Sequence, residues 1–324
     1  MKITVLDASA ANPGDLSWEP FERFGEVVCY DVTKKDQLIE RAIDSEILLT
    51  NKTVFEKDDF DKLPKLKYIG VLATGFNVVD LEAASAHGVC VTNVPEYATF
   101  ATAQMAVSLL LELTNRVGMH TRSVFNGDWV RSPQFCYTLE ALTELAGKTV
   151  AVVGLGKIGR RVSLILDALG MNVIGVPHKP CDSINIDGKD FTCLPIEKAL
   201  PMADVITFHC PLTKDTENLL SSSMIEKLKS NVLIINTARG PIVNSKDIVE
   251  ALMNKKIGGY GADVITKEPM SADDPLLTLK GNPNVVLTPH IAWAPKETRK
   301  RLIDAAAENL EKFLDGNPVN RVNP

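Results

Sequence analysis

The sequence predicts an α/β fold made of two doubly wound parallel sheets. Two observations carry that expectation. Short β-branched runs alternate with helix-like segments along nearly the whole chain. The 324 residues, 45% of them hydrophobic, suffice for two cores and are long for one compact domain.

The first alternating series has strand candidates at 3–6, 27–30, 47–50, 68–72 and 89–92, with helix-like stretches at 35–43 and 81–86 between them. The run 103–113, rich in Ala, Leu and Val, reads as a long buried helix at a domain or subunit interface. After a polar, aromatic-containing stretch over 126–137, a second series begins at Lys148. Its strand candidates lie at 149–153, 172–176, 204–208, 232–236, 259–263 and 285–287, a doubly wound sheet of its own. A last helix is expected over 295–314, with Pro295 in its first turn and an apolar stripe at Leu302, Ala305, Ala306, Leu310 and Phe313.

Composition removes several function classes. A net charge of -6 and a pI near 5.5 argue against a nucleic-acid partner. Asp7 interrupts the N-terminal stretch early, and no apolar run reaches about 18 residues, so a soluble cytoplasmic protein with no membrane partner is expected. The six cysteines (Cys29, Cys90, Cys136, Cys181, Cys193, Cys210) form no CxxC pair and join no His cluster suited to zinc, so no metal is expected. They read as reduced, small apolar residues, with Cys210 a packing residue rather than a nucleophile.

The segment Val150 to Arg160 places Gly154, Gly156 and Gly159 as GxGxxG between a strand and a helix. In that context Gly154 permits the tight turn, Gly156 admits a pyrophosphate, and Gly159 lets helix and strand pack closely. Lys157 and Ile158 open the helix whose N-terminal N–H groups and dipole hold the anion. An acidic residue that would select NAD is expected at the end of the next strand. Pro177, His178 and Lys179 stand there instead. The basic pair suits a 2′-phosphate but the segment has no arginine, so NAD and NADP both remain open.

Arg239, Glu268 and His290 each follow a strand candidate of the second series. Carboxyl ends of strands in an open α/β sheet are where ligands bind, so the three point to one crevice. A guanidinium, a carboxylate and an imidazole there suit a hydroxy acid.

The blocks Asn236-Thr237-Ala238-Arg239-Gly240, Asp263-Val264 with Glu268-Pro269, and Thr288-Pro289-His290-Ile291-Ala292 resemble the signatures of the D-isomer-specific 2-hydroxyacid dehydrogenase family. With the glycine motif and Ala73-Thr74-Gly75, the resemblance spans nearly the whole chain. It implies a Rossmann cofactor domain over 100–291, inserted in a flavodoxin-like substrate domain formed by 1–99 and 292–324, with hinges near 98–101 and 290–295. It implies that His290 donates a proton to the keto oxygen, that Glu268 orients the imidazole, and that Arg239 binds the substrate carboxylate with Thr74 and Gly75. Cys210, Pro211, Thr216 and Asn218 resemble the adenosine-side loop, and Thr237, Ala238 and Asp263 the nicotinamide end. Phe100 and Glu96 depart from the family pattern, which usually has an acidic residue and Gly at those positions.

Trp129, the stretch 131–136 and the ending Ile291-Ala292-Trp293-Ala294 resemble the glycerate dehydrogenase, or hydroxypyruvate reductase, branch. Hydroxypyruvate or glyoxylate is the expected substrate, and a homodimer the expected assembly. Another D-2-hydroxyacid dehydrogenase, phosphoglycerate dehydrogenase included, is an alternative. So is a phosphite oxidiser, or a nucleotide-sensing protein with no enzymatic role. Glu268 stands where formate dehydrogenases carry Gln.

Overall fold

In the computed structural model, which describes residues 1–324, the chain forms thirteen strands in two sheets. The chain divides into two units, Met1–Ala98 with Trp293–Pro324, and Thr99–Ala292.

The first unit holds β1 (Lys2–Val5), β2 (Glu26–Cys29), β3 (Ile47–Thr50), β4 (Tyr68–Val71) and β5 (Cys90–Thr92). Their order is β2-β1-β3-β4-β5 and every pairing is parallel, the flavodoxin-like arrangement. Every residue of β3 and β4 is buried, as strands covered on both faces require. Alternation sorts the side chains. Ile47 and Leu49 pack with Leu302, Ile303 and Leu310 of the helix Lys296–Leu314, whereas Leu48 packs with Leu38, Phe60 and Ala83 on the other face. Pro295 caps the C-terminal helix at φ -54° rather than entering its first turn. The stretch 35–43 splits into a 3-10 turn, Lys35–Gln37, and a short helix, Leu38–Ala42.

The second unit holds β6 (Thr149–Val153), β7 (Asn172–Val176), β8 (Ser183–Ile186), β9 (Lys189–Cys193), β10 (Val205–Phe208), β11 (Leu233–Asn236), β12 (Gly259–Ala262) and β13 (Val285–Leu287). The order is β13-β12-β11-β10-β6-β7-β9-β8, parallel except for β8 against β9. Strand order reverses between β6 and β10, the switch point at which doubly wound sheets bind ligands. The helix Thr99–Asn115 lays Ala103, Ala106, Val107 and Leu110 against Val150, Val152 and Ile235. It extends beyond 103–113 at both ends and stops where Arg116 turns left-handed at φ 55°.

The β8–β9 hairpin is a correction to the sequence reading, which places no strand between 177 and 203. Its strands alternate polar residues with Ile184, Ile186, Phe191 and Cys193, and β8 forms the sheet edge, so they carry no continuous apolar run. The two-residue turn Asp187-Gly188, with φ of 50° and 87°, joins them by the mirror-image geometry that matches strand twist.

Candidate active site

The glycine loop lies between β6 and the helix Lys157–Ala168. Gly154 adopts φ +94°, and a Cβ there would stand 2.6 Å from the Cys210 backbone N; a Cβ at Gly159 would stand 1.9 Å from the Gly154 carbonyl O. Bare Cα atoms therefore let the helix start, the loop and the end of β10 close on one another. At Gly156, by contrast, nothing lies within 4 Å of a Cβ position. Lys157 is exposed and Ile158 half-buried at the helix start.

Beyond β10, His209 Nε2 pairs with Thr207 Oγ1 at 2.8 Å, while its Nδ1 is buried without a partner. Desolvation of the ring pushes the His209 pKa down to about 3, so it is neutral at physiological pH. Burial pushes the Cys210 thiol up to about 11, which keeps it protonated and unreactive. Thr216 Oγ1 donates to the Pro211 carbonyl at 2.7 Å and accepts from Thr213 N at 2.7 Å, closing the turn that follows. Thr237 and Ala238 are buried after β11, and Thr237 Oγ1 also lacks a partner. A helix N-terminus, open space at Gly156, and two partnerless buried polar atoms just after β10 and β11 fit an anionic dinucleotide. After β7, Pro177 is half-buried, and His178 and Lys179 are exposed.

Of the three polar residues after strands, Glu268 and His290 meet directly, and the turn that carries Arg239 runs beside the loop that carries Glu268. Asn236 Oδ1 accepts from Ala238 N at 3.0 Å and its Nδ2 donates to the Arg239 carbonyl at 2.9 Å, so the turn presenting Arg239 is tied from within. Arg239 is exposed. A Cβ at Gly240 would stand 1.9 Å from the Ile265 carbonyl carbon, so this turn runs directly along the Ile265 segment. Ile265 N donates to Glu268 Oε1 at 3.1 Å, and Glu268 Oε2 lies 2.6 Å from His290 Nδ1. One carboxylate thus bridges its own loop and the imidazole. The two side chains are 29% and 33% exposed, His290 and Glu268 respectively, enough to meet a small solute.

His290 sits at φ 55°, a conformation costing of order 1–3 kcal/mol for a non-glycine residue. Asp263 holds it there. Its carbonyl accepts from His290 N at 2.8 Å. Its buried carboxylate accepts from Thr288 Oγ1 at 2.5 Å, Ile291 N at 2.9 Å and Ala292 N at 2.8 Å. The supporting parts played by Asn236 and Thr288 are absent from the sequence reading, although both lie inside its signature blocks.

Thr74 and Gly75 lie in the first unit, on the loop after β4. Thr74 Oγ1 donates to the Val94 carbonyl at 3.1 Å, and Asn93 Nδ2 donates to the Thr74 carbonyl at 2.7 Å. On the neighbouring loop, after β3, the buried Asp7 carboxylate accepts from Asn51 N at 2.7 Å and Thr53 N at 2.9 Å. The departures from family pattern have local accounts. Glu96 takes a left-handed φ of 68°, the conformation that glycine adopts without strain. The exposed Phe100 ring lies 5.1 Å from the Arg161 guanidinium, a cation–π contact where an acid is usual. Trp293 packs against the core of the first unit.

Residues 107–292 match the family model described as D-isomer specific 2-hydroxyacid dehydrogenase, NAD binding domain. The chain belongs to that family. A hydroxypyruvate reductase of Blautia hydrogenotrophica is 42% identical over 326 residues, covering 100% of both chains. A glycerate dehydrogenase of Methylorubrum extorquens is 37% identical over 287 residues, covering 89% of this chain and 88% of its own. A crystal structure of a Thermus thermophilus protein superimposes with a TM-score of 0.85 at 32% identity, covering 99% of this chain and 100% of that one. As a member of the family, this dehydrogenase transfers hydride between a nicotinamide cofactor and the 2-position of a small 2-keto or 2-hydroxy acid. No helix is long and apolar enough to cross a membrane.

Proposed function

We propose that the enzyme reduces hydroxypyruvate or glyoxylate, giving D-glycerate from the former. The observation that carries this reading is the hydrogen bond of 2.6 Å between His290 Nδ1 and Glu268 Oε2, set in a chain similar over its full length to a hydroxypyruvate reductase. With Nδ1 committed to Glu268, Nε2 is the nitrogen that carries the proton to the keto oxygen. Arg239 grips the substrate carboxylate and polarises the carbonyl with a planar, permanently charged fork. We also propose Thr74 and Gly75 as substrate-binding residues, through their backbone N–H groups. When bound, the nicotinamide supplies the hydride received by the carbonyl carbon.

In the same reading Gly154, Gly156, Lys157, Ile158 and Gly159 hold the diphosphate. Cys210, Pro211 and Thr216 flank the adenosine side, and Thr237, Ala238 and Asp263 the nicotinamide end. Thr99–Ala292 is the cofactor domain, and the other unit the substrate domain. The segment after β7 offers neither a carboxylate for a ribose diol nor an arginine for a 2′-phosphate, so the cofactor choice is read from the ratio of rates with NADH and NADPH. We also propose a cytoplasmic homodimer. Its support is the apolar surface of the segment 117–142, where Phe125, Val130 and Phe135 are each more than 80% exposed.

Initial rates with NADH and NADPH over hydroxypyruvate, glyoxylate, pyruvate, phenylpyruvate and 3-phosphohydroxypyruvate test the substrate, and chiral analysis tests the product. Preference for hydroxypyruvate or glyoxylate with a D-product supports the reading; preference for another keto acid overturns it.

A further inference from the structure

We infer that Asn93, held in turn by Asn309 and Asn320, is a positioning residue that aims the Gly75 N–H at the substrate carboxylate. This rests on the proposed reading that Thr74 and Gly75 bind substrate through their backbone N–H groups. A trans peptide is planar, so its carbonyl and its N–H point in opposite directions, and fixing one fixes the other. The loop after β5 fixes two such planes in the loop after β4. Asn93 Nδ2 donates to the Thr74 carbonyl at 2.7 Å, which sets the Gly75 N–H. Val94 N donates to the Ala73 carbonyl at 3.0 Å, which sets the Thr74 N–H. Thr74 Oγ1 donates back to the Val94 carbonyl at 3.1 Å.

Asn93 is itself held along its backbone from both sides. Its carbonyl accepts from Asn309 Nδ2 at 2.8 Å, and its N–H donates to the Asn320 carbonyl at 3.1 Å. Asn320 Nδ2 donates to Asn309 Oδ1 at 2.9 Å, joining the two supports. A chain of three amides thus runs from the segment after the last helix to the Thr74–Gly75 peptide.

The middle amide shows that the chain is built for this. Asn309 is 2% exposed, on the helix Lys296–Leu314 that carries Leu302, Ala306 and Leu310 into the core. A polar side chain is tolerated there because both of its ends are paired. Its partners also fix its sense, since a carbonyl takes only the Nδ2 end and an amide donor only Oδ1. Neither leucine nor aspartate offers that donor and acceptor together. Asn93, 8% exposed, meets the same demand, because an oxygen in place of its Nδ2 would face the Thr74 carbonyl.

The test compares full-length Asn93→Ala, Asn320→Gly and Gly75→Val with the unaltered enzyme. It measures KM and kcat for hydroxypyruvate, Kd for the reduced cofactor, and Kd for oxamate, an unreduced keto-acid analogue, on the cofactor complex. Asn320→Gly is the mildest change, because glycine adopts the φ of 52° at this position without strain and keeps the carbonyl that holds Asn93. Asn93→Ala is expected to raise KM and oxamate Kd about tenfold and Asn320→Gly about two- to threefold, with kcat and cofactor Kd within about twofold. If Asn93→Ala does not fold, Asn320→Gly decides alone. Parallel losses of kcat and cofactor affinity mark a general loosening and overturn the positioning role. An effect of Asn93→Ala with none of Asn320→Gly overturns the part assigned to Asn320. Substrate affinity that falls in Gly75→Val but holds in the other two overturns the amide chain and leaves the reading of Thr74 and Gly75 standing. Affinity that holds in all three contradicts that reading and the chain with it.

Discussion

Glu268 touches both ends of the catalytic argument: one carboxylate oxygen accepts from Ile265 N at 3.1 Å, and the other lies 2.6 Å from His290 Nδ1. The loop that supplies the carboxylate is thus fixed by the same group that orients the imidazole. Glu268→Gln keeps a hydrogen-bonding oxygen but loses the charge beside the ring. It is expected to lower kcat by about ten- to a hundredfold with little change in cofactor Kd, as read by steady-state kinetics and fluorescence titration. Unchanged kcat would remove Glu268 from the mechanism.

Asp263 is buried and accepts three hydrogen bonds from the segment around His290. Asp263→Asn replaces one acceptor oxygen with a donor and leaves at least one of those groups unpaired, at a cost of about 1–3 kcal/mol. The left-handed backbone of His290 then relaxes. Both a lower Tm and a kcat reduced by about tenfold or more are expected. A fall in Tm without loss of kcat would confine Asp263 to a structural part.

The two helix-side glycines of the motif separate folding from binding. Gly159→Ala forces a Cβ to 1.9 Å from the Gly154 carbonyl, so thermal stability is expected to fall sharply. Gly156→Ala meets nothing within 4 Å, so Tm is expected to hold while cofactor Kd rises, because the added methyl occupies the path of the pyrophosphate. Equal effects of the two on Tm would contradict this division.

His209 links stability to pH. Its folded pKa is pushed down to about 3, whereas the unfolded chain titrates near the ordinary value of about 6.5. Below pH 6.5 the unfolded state binds the extra proton, so stability falls as pH drops and levels off only below about 3. The slope from this residue approaches about 1.4 kcal/mol per pH unit. In the protein without cofactor, His209→Gln is expected to flatten the denaturation midpoint between pH 6 and 4, and an unchanged slope would contradict the assignment.

Much of this site is legible in the sequence because its parts are local. GxGxxG, Arg239, Glu268 and His290 each follow a strand, and the parallel topology alone carries strand ends to one side of a sheet. What the sequence hides is support and pairing. Asp263 acts through the backbone of residues nearly thirty positions later, a relation that no spacing rule expresses. The β8–β9 hairpin alternates polar and apolar residues without a continuous apolar run, and its clearest signal is Asp187-Gly188 between 183–186 and 189–193. Glu96 reads as a departure from family pattern, and only its backbone angle shows that the position keeps glycine's conformation.

The measurement that bears most directly on the central claim is the rate of hydroxypyruvate reduction by His290→Ala beside the unaltered enzyme, with NADH and NADPH affinities titrated on the same samples. The expected result is a kcat lower by about 10²- to 10⁴-fold with cofactor Kd essentially retained. Turnover within a few-fold of the unaltered enzyme would contradict it, since the proton would then come from a group other than His290.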